Sequence, residues 1–323
     1  MDIVLLWVDG EHPKWLERYR QYSGTTSGGA EFAARYHQAE ELRYALRSIE
    51  QYAPWVRHIF VVHDDVQRPH WLKTKHERLR LIPHSAFIPG EFLPTFSSFV
   101  IESFVHRIPN LSESFVCTND DTFLIRPCEP STFFEDSKPI VYFSEFEAPA
   151  GPPALSDPAW IQALKNAETL LGPARPARKN VAHGFYTCQK KAAERAWHEF
   201  PEALLKNARS RVRSATSVAF INHLLPYLML RHHKAVGCHL PLVTTYRWTI
   251  ADKISHARHK TVQAVRHPLR GLREIGAHLA HAPKVLCINS GTPTELSSLL
   301  SRKFPKPASF EHEPDIDLAG QIR

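Results

Sequence analysis

The sequence predicts an α/β fold with a doubly wound, mixed sheet flanked by helices. Three observations carry the prediction. Short apolar runs, Ile3 to Val8, His58 to His63 and Phe115 to Cys117, read as buried strands. Each is followed by carboxylates: Asp9-Gly10, Asp64-Asp65 and Asn119-Asp120-Asp121. Segments of helical period separate them, and strands alternating with helices argue for a doubly wound sheet.

Taken in order, Ile3 to Val8 ends on a carboxylate and a turn glycine. Ligands of open α/β sheets bind beyond the carboxyl ends of strands, so Asp9 is a candidate site residue, against a plain turn cap. Residues 23–30, Ser-Gly-Thr-Thr-Ser-Gly-Gly-Ala, read as a loop. Gln38 to Tyr52 has Leu42, Ala45, Leu46 and Ile49 on one helical face, and Pro54 ends it. His58 to His63 is the second strand and Leu79 to Pro83 a short third. Phe96 to Arg107 is a helix opened by Pro94-Thr95 and closed before Pro109. The strand before Asn119 comes next, then Ile140 to Phe143.

Residues 147–158, with four prolines, form a connector, and Trp160 to Leu171 is a helix. Gly172 to Asn180 is a basic break. Thereafter the chain reads as largely helical: Lys190 to Phe200, Glu202 to Ala208 and Thr216 to Arg231. Val285 to Ile288 is a late strand expected to complete the first sheet. The polar end, Lys303 to Arg323, is expected to fray. The expected organisation is a sheet domain of residues 1–146 and 284–302, a helical region of 147–283 inserted before the last strand, and a tail of 303–323.

Hydrophobic content of 43% and charged content of 23% indicate an ordinary core. A formal charge of +7 suits an anionic partner. The five cysteines are widely spaced, with no Cys-x-x-Cys, so neither a disulfide framework nor a zinc site is indicated and a reducing cytosol fits. The opening run lacks a basic flank and is too short for a signal peptide. Nothing approaches the ~20 apolar residues of a membrane span, so the expected location is cytoplasmic, with any membrane contact peripheral.

Asn119-Asp120-Asp121 stands between two apolar runs. Paired carboxylates there are costly unless something positive meets them, and a hard divalent cation is the economical partner. An Asx-type turn is the competing reading. If the strands ending at Asp9, Asp64 and Asp120/Asp121 are parallel neighbours, their acids gather on one sheet edge, where a metal–nucleotide site would be built. Arg43 and Arg47 lie four apart on one helical face and could clamp phosphate oxygens, or pair with Glu40 and Glu50. Arg209, Arg211 and Arg213 could bind phosphate or make a solvated turn. His183 is a candidate general base, because its ordinary pKa suits deprotonation of an alcohol. Lys253 to Lys284 holds seven Lys/Arg and one acid, with Leu269, Leu272, Ile275 and Leu279 at helical spacing. It could dock on anionic lipid or a polyanionic glycan, or pack on the core. No nucleic-acid motif is present.

Four blocks in order resemble the Stealth family of sugar-1-phosphate transferases, which includes bacterial capsule and exopolysaccharide phosphotransferases. The first is Ile3 to Gly10. The second runs from Glu41-Leu42-Arg43 through Gln67-Arg68-Pro69-His70-Trp71-Leu72, Leu93-Pro94-Thr95-Phe96 and Ile101-Glu102-Ser103 to Asn119-Asp120-Asp121. The third holds His183, Glu199-Phe200-Pro201-Glu202 and Arg211-Val212-Arg213-Ser214. The fourth is Lys284 to Asn289. The departures are Ser97 where the family often has Asn, Phe185 where a proline is usual, Ala215-Thr216-Ser217 in place of an acidic residue, and Ser290 after Asn289.

The resemblance implies a nucleotide-sugar-binding, glycosyltransferase-A-like (Rossmann-like) core. It implies transfer of a hexose-1-phosphate from a UDP-sugar donor to a hydroxyl of a glycan or lipid-linked glycan acceptor, with release of UMP and with magnesium as the expected ion. Asp120 and Asp121 are then expected at the metal diphosphate, Asp9 at the nucleotide, His183 and Arg213 in catalysis, and Asn289 in the site. Arg43, Arg47, Asn119 and Arg211 are further candidate substrate contacts. An ordinary metal-dependent glycosyltransferase releasing UDP, and a non-catalytic polyanion- or membrane-binding protein, are the alternatives.

Overall fold

The computed structural model of the chain describes residues 1–24, 40–239, 242–246, 284–288 and 293–312. The elements begin β1 (Asp2–Leu6), α1 (Pro13–Ser23), α2 (Glu41–Tyr52), β2 (Ile59–His63), β3 (Leu79–Pro83), α3 (Ser98–Phe104), β4 (Ser114–Asn119) and β5 (Thr122–Leu124). Then come β6 (Phe134–Glu135), β7 (Lys138–Glu147), α4 (Ala159–Leu171), β8 (Lys179–Val181), β9 (Tyr186–Gln189), α5 (Lys190–Glu199) and α6 (Pro201–Ala208). A π-helical turn (Phe220–Leu224) leads into α7 (Leu225–Arg231), followed by β10 (Val236–Cys238), β11 (Val243–Tyr246), β12 (Val285–Ile288) and α8 (Pro293–Lys303).

The main sheet has the order β3-β2-β1-β4-β9. Its first four strands are parallel, and β9 closes the far edge antiparallel to β4. Every residue of β1 and β2 is buried, which is why both read as unbroken apolar runs. Ile3, Leu5, Ile59 and Val61 pack with Leu42, Ala45, Leu46 and Ile49 of α2. Val4, Leu6, Phe60 and Val62 belong to the cluster on the other face, with Phe99, Val100 and Phe104 of α3 and Leu225, Leu228 and Met229 of α7. Alternation along each strand therefore feeds two apolar layers.

Strand order reverses at β1. β2 and β3 lie on one side and β4 on the other, which makes the β1–β4 crevice the topological switch point where ligands of such sheets bind. Leu6 stands opposite both Val62 and Asn119, so Asp9, Asp64 and the Asp120-Asp121 turn follow strand ends on one edge. At the opposite edge the fully buried Asp2 carboxylate accepts from Arg57 Nε at 2.9 Å and Nη2 at 2.6 Å, and from the backbone N–H groups of Ser112 at 2.8 Å and His58 at 3.2 Å. This ties the starts of β1, β2 and β4 together.

Three expectations are corrected. β12 does not complete the main sheet. It pairs antiparallel with β5 and parallel with β11 in a separate three-stranded sheet. The turn at Asp120-Asp121 carries β5 away from the main sheet, and the free edge of β4 is taken by β9. Nor is 147–283 simply helical, because it supplies β9 to the main sheet while β8 and β10 pair with β7.

The end of the chain is not frayed from residue 303 onward. Phe304, Ala308, Phe310 and Glu311 are buried, Glu311 bridges to Leu72, and Lys73 N–H donates to the Phe310 carbonyl at 2.9 Å. Residues 313–323 lie outside the described residues, as do 25–30 of the expected loop and 253–283 of the expected basic docking segment. No helix among the described residues is long and apolar enough to cross a membrane.

Candidate active site

Asn119-Asp120-Asp121 turns the chain from β4 into β5. Thr122 Oγ1 donates to the Asn119 carbonyl at 2.7 Å and shares a short hydrogen bond with Thr118. On the other flank the Ile288 N–H donates to the Asp121 carbonyl at 3.0 Å, and Cys287 stands opposite Thr122. The Asp121 carboxylate is thus fixed from both sides. Its Oδ1 is buried and has no hydrogen-bond partner. A buried carboxylate oxygen left unsatisfied is costly, and here it marks a place for a positive ligand.

His183 reaches the same place from the turn before β9. Gly184, at φ 149°, takes a conformation that side-chain-bearing residues rarely adopt, and it lets the chain turn between His183 and the strand. Tyr186, opposite Cys117 in the sheet, pairs its hydroxyl with His183 Nδ1 at 2.7 Å. That contact leaves Nε2 aimed at Asp121 Oδ2, 3.9 Å away. Burial depresses the His183 pKa, but the nearby Asp121 carboxylate, followed by Glu102, outweighs it and the net shift is upward. The Cys287 thiol points at the same Asp121 oxygen at 3.9 Å, and burial, then Asp121, hold it protonated well above the usual thiol range.

Close to His183 lies Glu102, the one charged residue of helix α3 and only 5% exposed. Burial pushes its pKa up to about 7, with Arg213 and His183 pulling the other way and a hydrogen bond from Ser98 adding to them. Arg213 donates to Ser98 Oγ at 2.9 Å and lies over the Phe99 ring at 4.9 Å. Arg213 and Ser98 therefore stand beside Glu102, and Glu102 and Arg213 both act electrostatically on the His183–Asp121 pair. Sequence reasoning assigned no role to Glu102, Ser98, Tyr186 or Cys287. The available signals were a lone acid within Ser98–Phe104 and a tyrosine three positions after the histidine.

The remaining candidates are placed as follows. Asp9 follows β1 at the switch point. Its N–H donates to Gln67 Oε1 at 2.6 Å and its Oδ1 accepts from Glu11 N–H at 2.9 Å, so it also organises the turn into α1. Asn119 ends β4 beside Leu6. Asp64 is engaged by Arg18 at 2.8 Å. Asn289 lies outside the described residues.

Arg43, Arg47 and Arg211 each have partners within the protein. Arg47 forms a two-pronged pair with the buried Glu311, Nε–Oε1 at 2.6 Å and Nη2–Oε2 at 2.8 Å, and Arg43 adds a third contact at 3.2 Å. Arg211 donates to the Pro94 and Glu91 carbonyls at 3.1 and 3.0 Å. Arg47 and Arg43 thereby satisfy the buried Glu311, and Arg211 holds two backbone carbonyls near the start of the segment leading into α3.

The fold and the site together describe an α/β protein with an acid–histidine pair, and an arginine near it, at the carboxyl edge of its parallel strands. The family model described as Stealth protein CR2, conserved region 2, matches residues 35–141. The chain is 39% identical over 327 residues to an exopolysaccharide phosphotransferase of Streptomyces coelicolor, covering 97% of this chain and 52% of that protein. It is 34% identical over 248 residues to a capsular polysaccharide phosphotransferase of Actinobacillus pleuropneumoniae, covering 73% of this chain and 67% of that protein. The chain therefore belongs to the Stealth family, and spans about half the length of its Streptomyces relative. Among solved structures, a crystal structure of the galactosyltransferase LgtC in complex with donor and acceptor sugar analogs aligns over 98% of each chain, with a TM-score of 0.45 and 10% identity.

Proposed function

We propose that this chain transfers a hexose-1-phosphate, with an N-acetylhexosamine-1-phosphate the favoured case, from a UDP-sugar to a hydroxyl of a glycan acceptor in capsule or exopolysaccharide synthesis. The observation that carries the reading is the approach of His183 Nε2 and Asp121 Oδ2 to 3.9 Å where β4 ends beside β9, with Arg213 and Glu102 both acting electrostatically on His183. Two family members are named as polysaccharide phosphotransferases, which supports the same chemistry.

His183 Nε2 takes the proton of the acceptor hydroxyl as its oxygen attacks the sugar-bound phosphorus. The bond from that phosphorus to the bridging oxygen breaks, and UMP leaves with the bridging oxygen. Tyr186 holds the imidazole by Nδ1, and Asp121 stabilises the imidazolium that forms. Arg213 offers positive charge to the transferring phosphoryl oxygens.

The unpartnered Oδ1 of Asp121, with Asp120 beside it, fits a hard divalent cation such as magnesium. Such an ion would neutralise charge on the donor's diphosphate and so stabilise UMP as the leaving group. The test is a UDP-sugar labelled in the sugar-proximal phosphate, incubated with magnesium and candidate acceptors. Label in the glycan together with free UMP supports the reading; label in free UDP means an ordinary glycosyltransferase and overturns it.

A further inference from the structure

The ligand atoms gathered at Asp121 do not all suit magnesium. Asp121 offers a carboxylate oxygen, His183 an imidazole nitrogen and Cys287 a sulfur, and the three lie within 4.8 Å of one another. Asp121 Oδ2 is 3.9 Å from His183 Nε2 and also 3.9 Å from Cys287 Sγ. Bonds of about 2.0 Å to nitrogen and oxygen and about 2.3 Å to sulfur put the ligands of a tetrahedral zinc roughly 3.5 Å apart. A contraction of a few tenths of an ångström would bring both Asp121 distances into that range, and the His183–Cys287 separation, within 4.8 Å, would have to close by no more than about 1.3 Å.

Three separate stretches supply these atoms: the β4–β5 turn, the turn before β9, and β12. None has metal-ligand spacing in sequence. The second, independent sign of a cation is the buried Asp121 Oδ1, which has no partner. The histidine is also prepared as a ligand, because Tyr186 holds Nδ1 and directs Nε2 at the cluster, the outer-shell contact that ligating histidines ordinarily have.

We propose that Asp121, His183 and Cys287 form a site for a thiophilic divalent cation such as Zn2+, distinct in chemistry from the magnesium expected on the diphosphate, and that its occupation shuts the enzyme down. Binding exchanges the S–H proton of Cys287 for a metal–sulfur bond and releases that proton to solvent. The fourth position stays open to water. The same event takes the lone pair of His183 Nε2 and the charge of Asp121 away from the acceptor. The inhibitory consequence rests on the roles proposed above for those two residues; the binding itself does not.

Cobalt(II) reports a thiolate ligand directly, through sulfur-to-metal charge-transfer absorption. Titrating the intact chain with Co2+ is expected to give this band at one equivalent, and Zn2+ should abolish it. Cys287→Ala is expected to lose the band and to bind Zn2+ more weakly by at least the roughly 10–100-fold that loss of an outer-shell partner alone costs. Cys287→Ser, closer in shape and a much poorer ligand, gives the same readout if the alanine variant does not fold. In transfer assays with magnesium, Zn2+ should inhibit the wild type and should inhibit Cys287→Ser at least tenfold less, with basal turnover kept. Absence of the band from the wild type, or an equal band in the Cys287 variants, overturns the site. Equal zinc inhibition with and without Cys287 overturns its inhibitory role. If the wild type shows the band but no transfer with any UDP-sugar, the site stands and the proposed activity fails instead.

Discussion

His183 Nε2 lies 3.9 Å from Asp121 Oδ2, across the boundary between the last parallel strand of the main sheet and the antiparallel strand that closes it. The two residues belong to distant parts of the chain, and β4–β9 pairing is what brings them together. If the pair acts in proton transfer, His183→Ala should lower kcat by about 10²–10⁴ with little change in thermal stability. Asp121→Asn keeps the shape but removes the charge, and should lose a comparable factor. Single-turnover kinetics beside a melting curve would check both; activity within twofold of wild type in either variant would remove that residue from the mechanism.

Glu102 gives a pH signature in stability. Its pKa is raised from 4.5 to about 7 in the folded protein, so between those values the native state holds a proton that the unfolded state has lost. Stability should therefore fall as pH rises through that window, by on the order of 3 kcal/mol if Glu102 acted alone. Glu102→Gln mimics the protonated form. It should raise the melting temperature at pH 8 and change it little at pH 4, as denaturation curves at the two pH values would show.

Asp2 has the opposite sign. Its burial raises the pKa, but hydrogen bonds from Arg57 and Ser112 outweigh this and leave the folded value below 3.8. The stabilisation is present above the unfolded value and is lost as pH falls through the folded one. Arg57→Ala leaves a buried carboxylate with only Ser112 and the His58 N–H as donors, and is expected to cost about 2–3 kcal/mol at pH 7. The cost should shrink at pH 3, which urea titrations at both pH values would measure.

Arg47 and Glu311 carry a prediction about the end of the chain. Glu311→Ala removes the acceptor of the two-pronged pair and should release residues 304–312, seen as faster proteolysis there. Stability should drop by about 3 kcal/mol, because the largely buried Arg47 guanidinium is left without its carboxylate partner. The KM for the donor should stay within twofold. A raised KM for Arg47→Ala at unchanged stability would return that arginine to the substrate.

Much of the framework is legible in the residues alone. Ile3–Val8 and His58–His63 stand out because strands buried on both faces need apolar residues at every position, and the α2 stripe stands out because only one face is buried. Tyr186–Gln189 does not. It is four residues long, mixes Thr and Gln with Cys, and owes its strand state to pairing with Ser114–Cys117 far away in sequence. The partner of Arg43 and Arg47 is hidden for a related reason: Glu311, which pairs with both, comes from the far end of the chain.

The sequence by itself determined the alternating elements, the acids that follow three strands, and the residues His183 and Arg213 worth watching. These are local signals, written in periodicity and in turn chemistry. Only the tertiary structure decided which of them meet. It put Asp121 and His183 together, buried Glu102 where both His183 and Arg213 act on it, brought a cysteine with no metal-binding spacing to the same carboxylate, and gave three arginines partners within the fold. Contact between distant segments depends on strand pairing and burial, which no short stretch of sequence records.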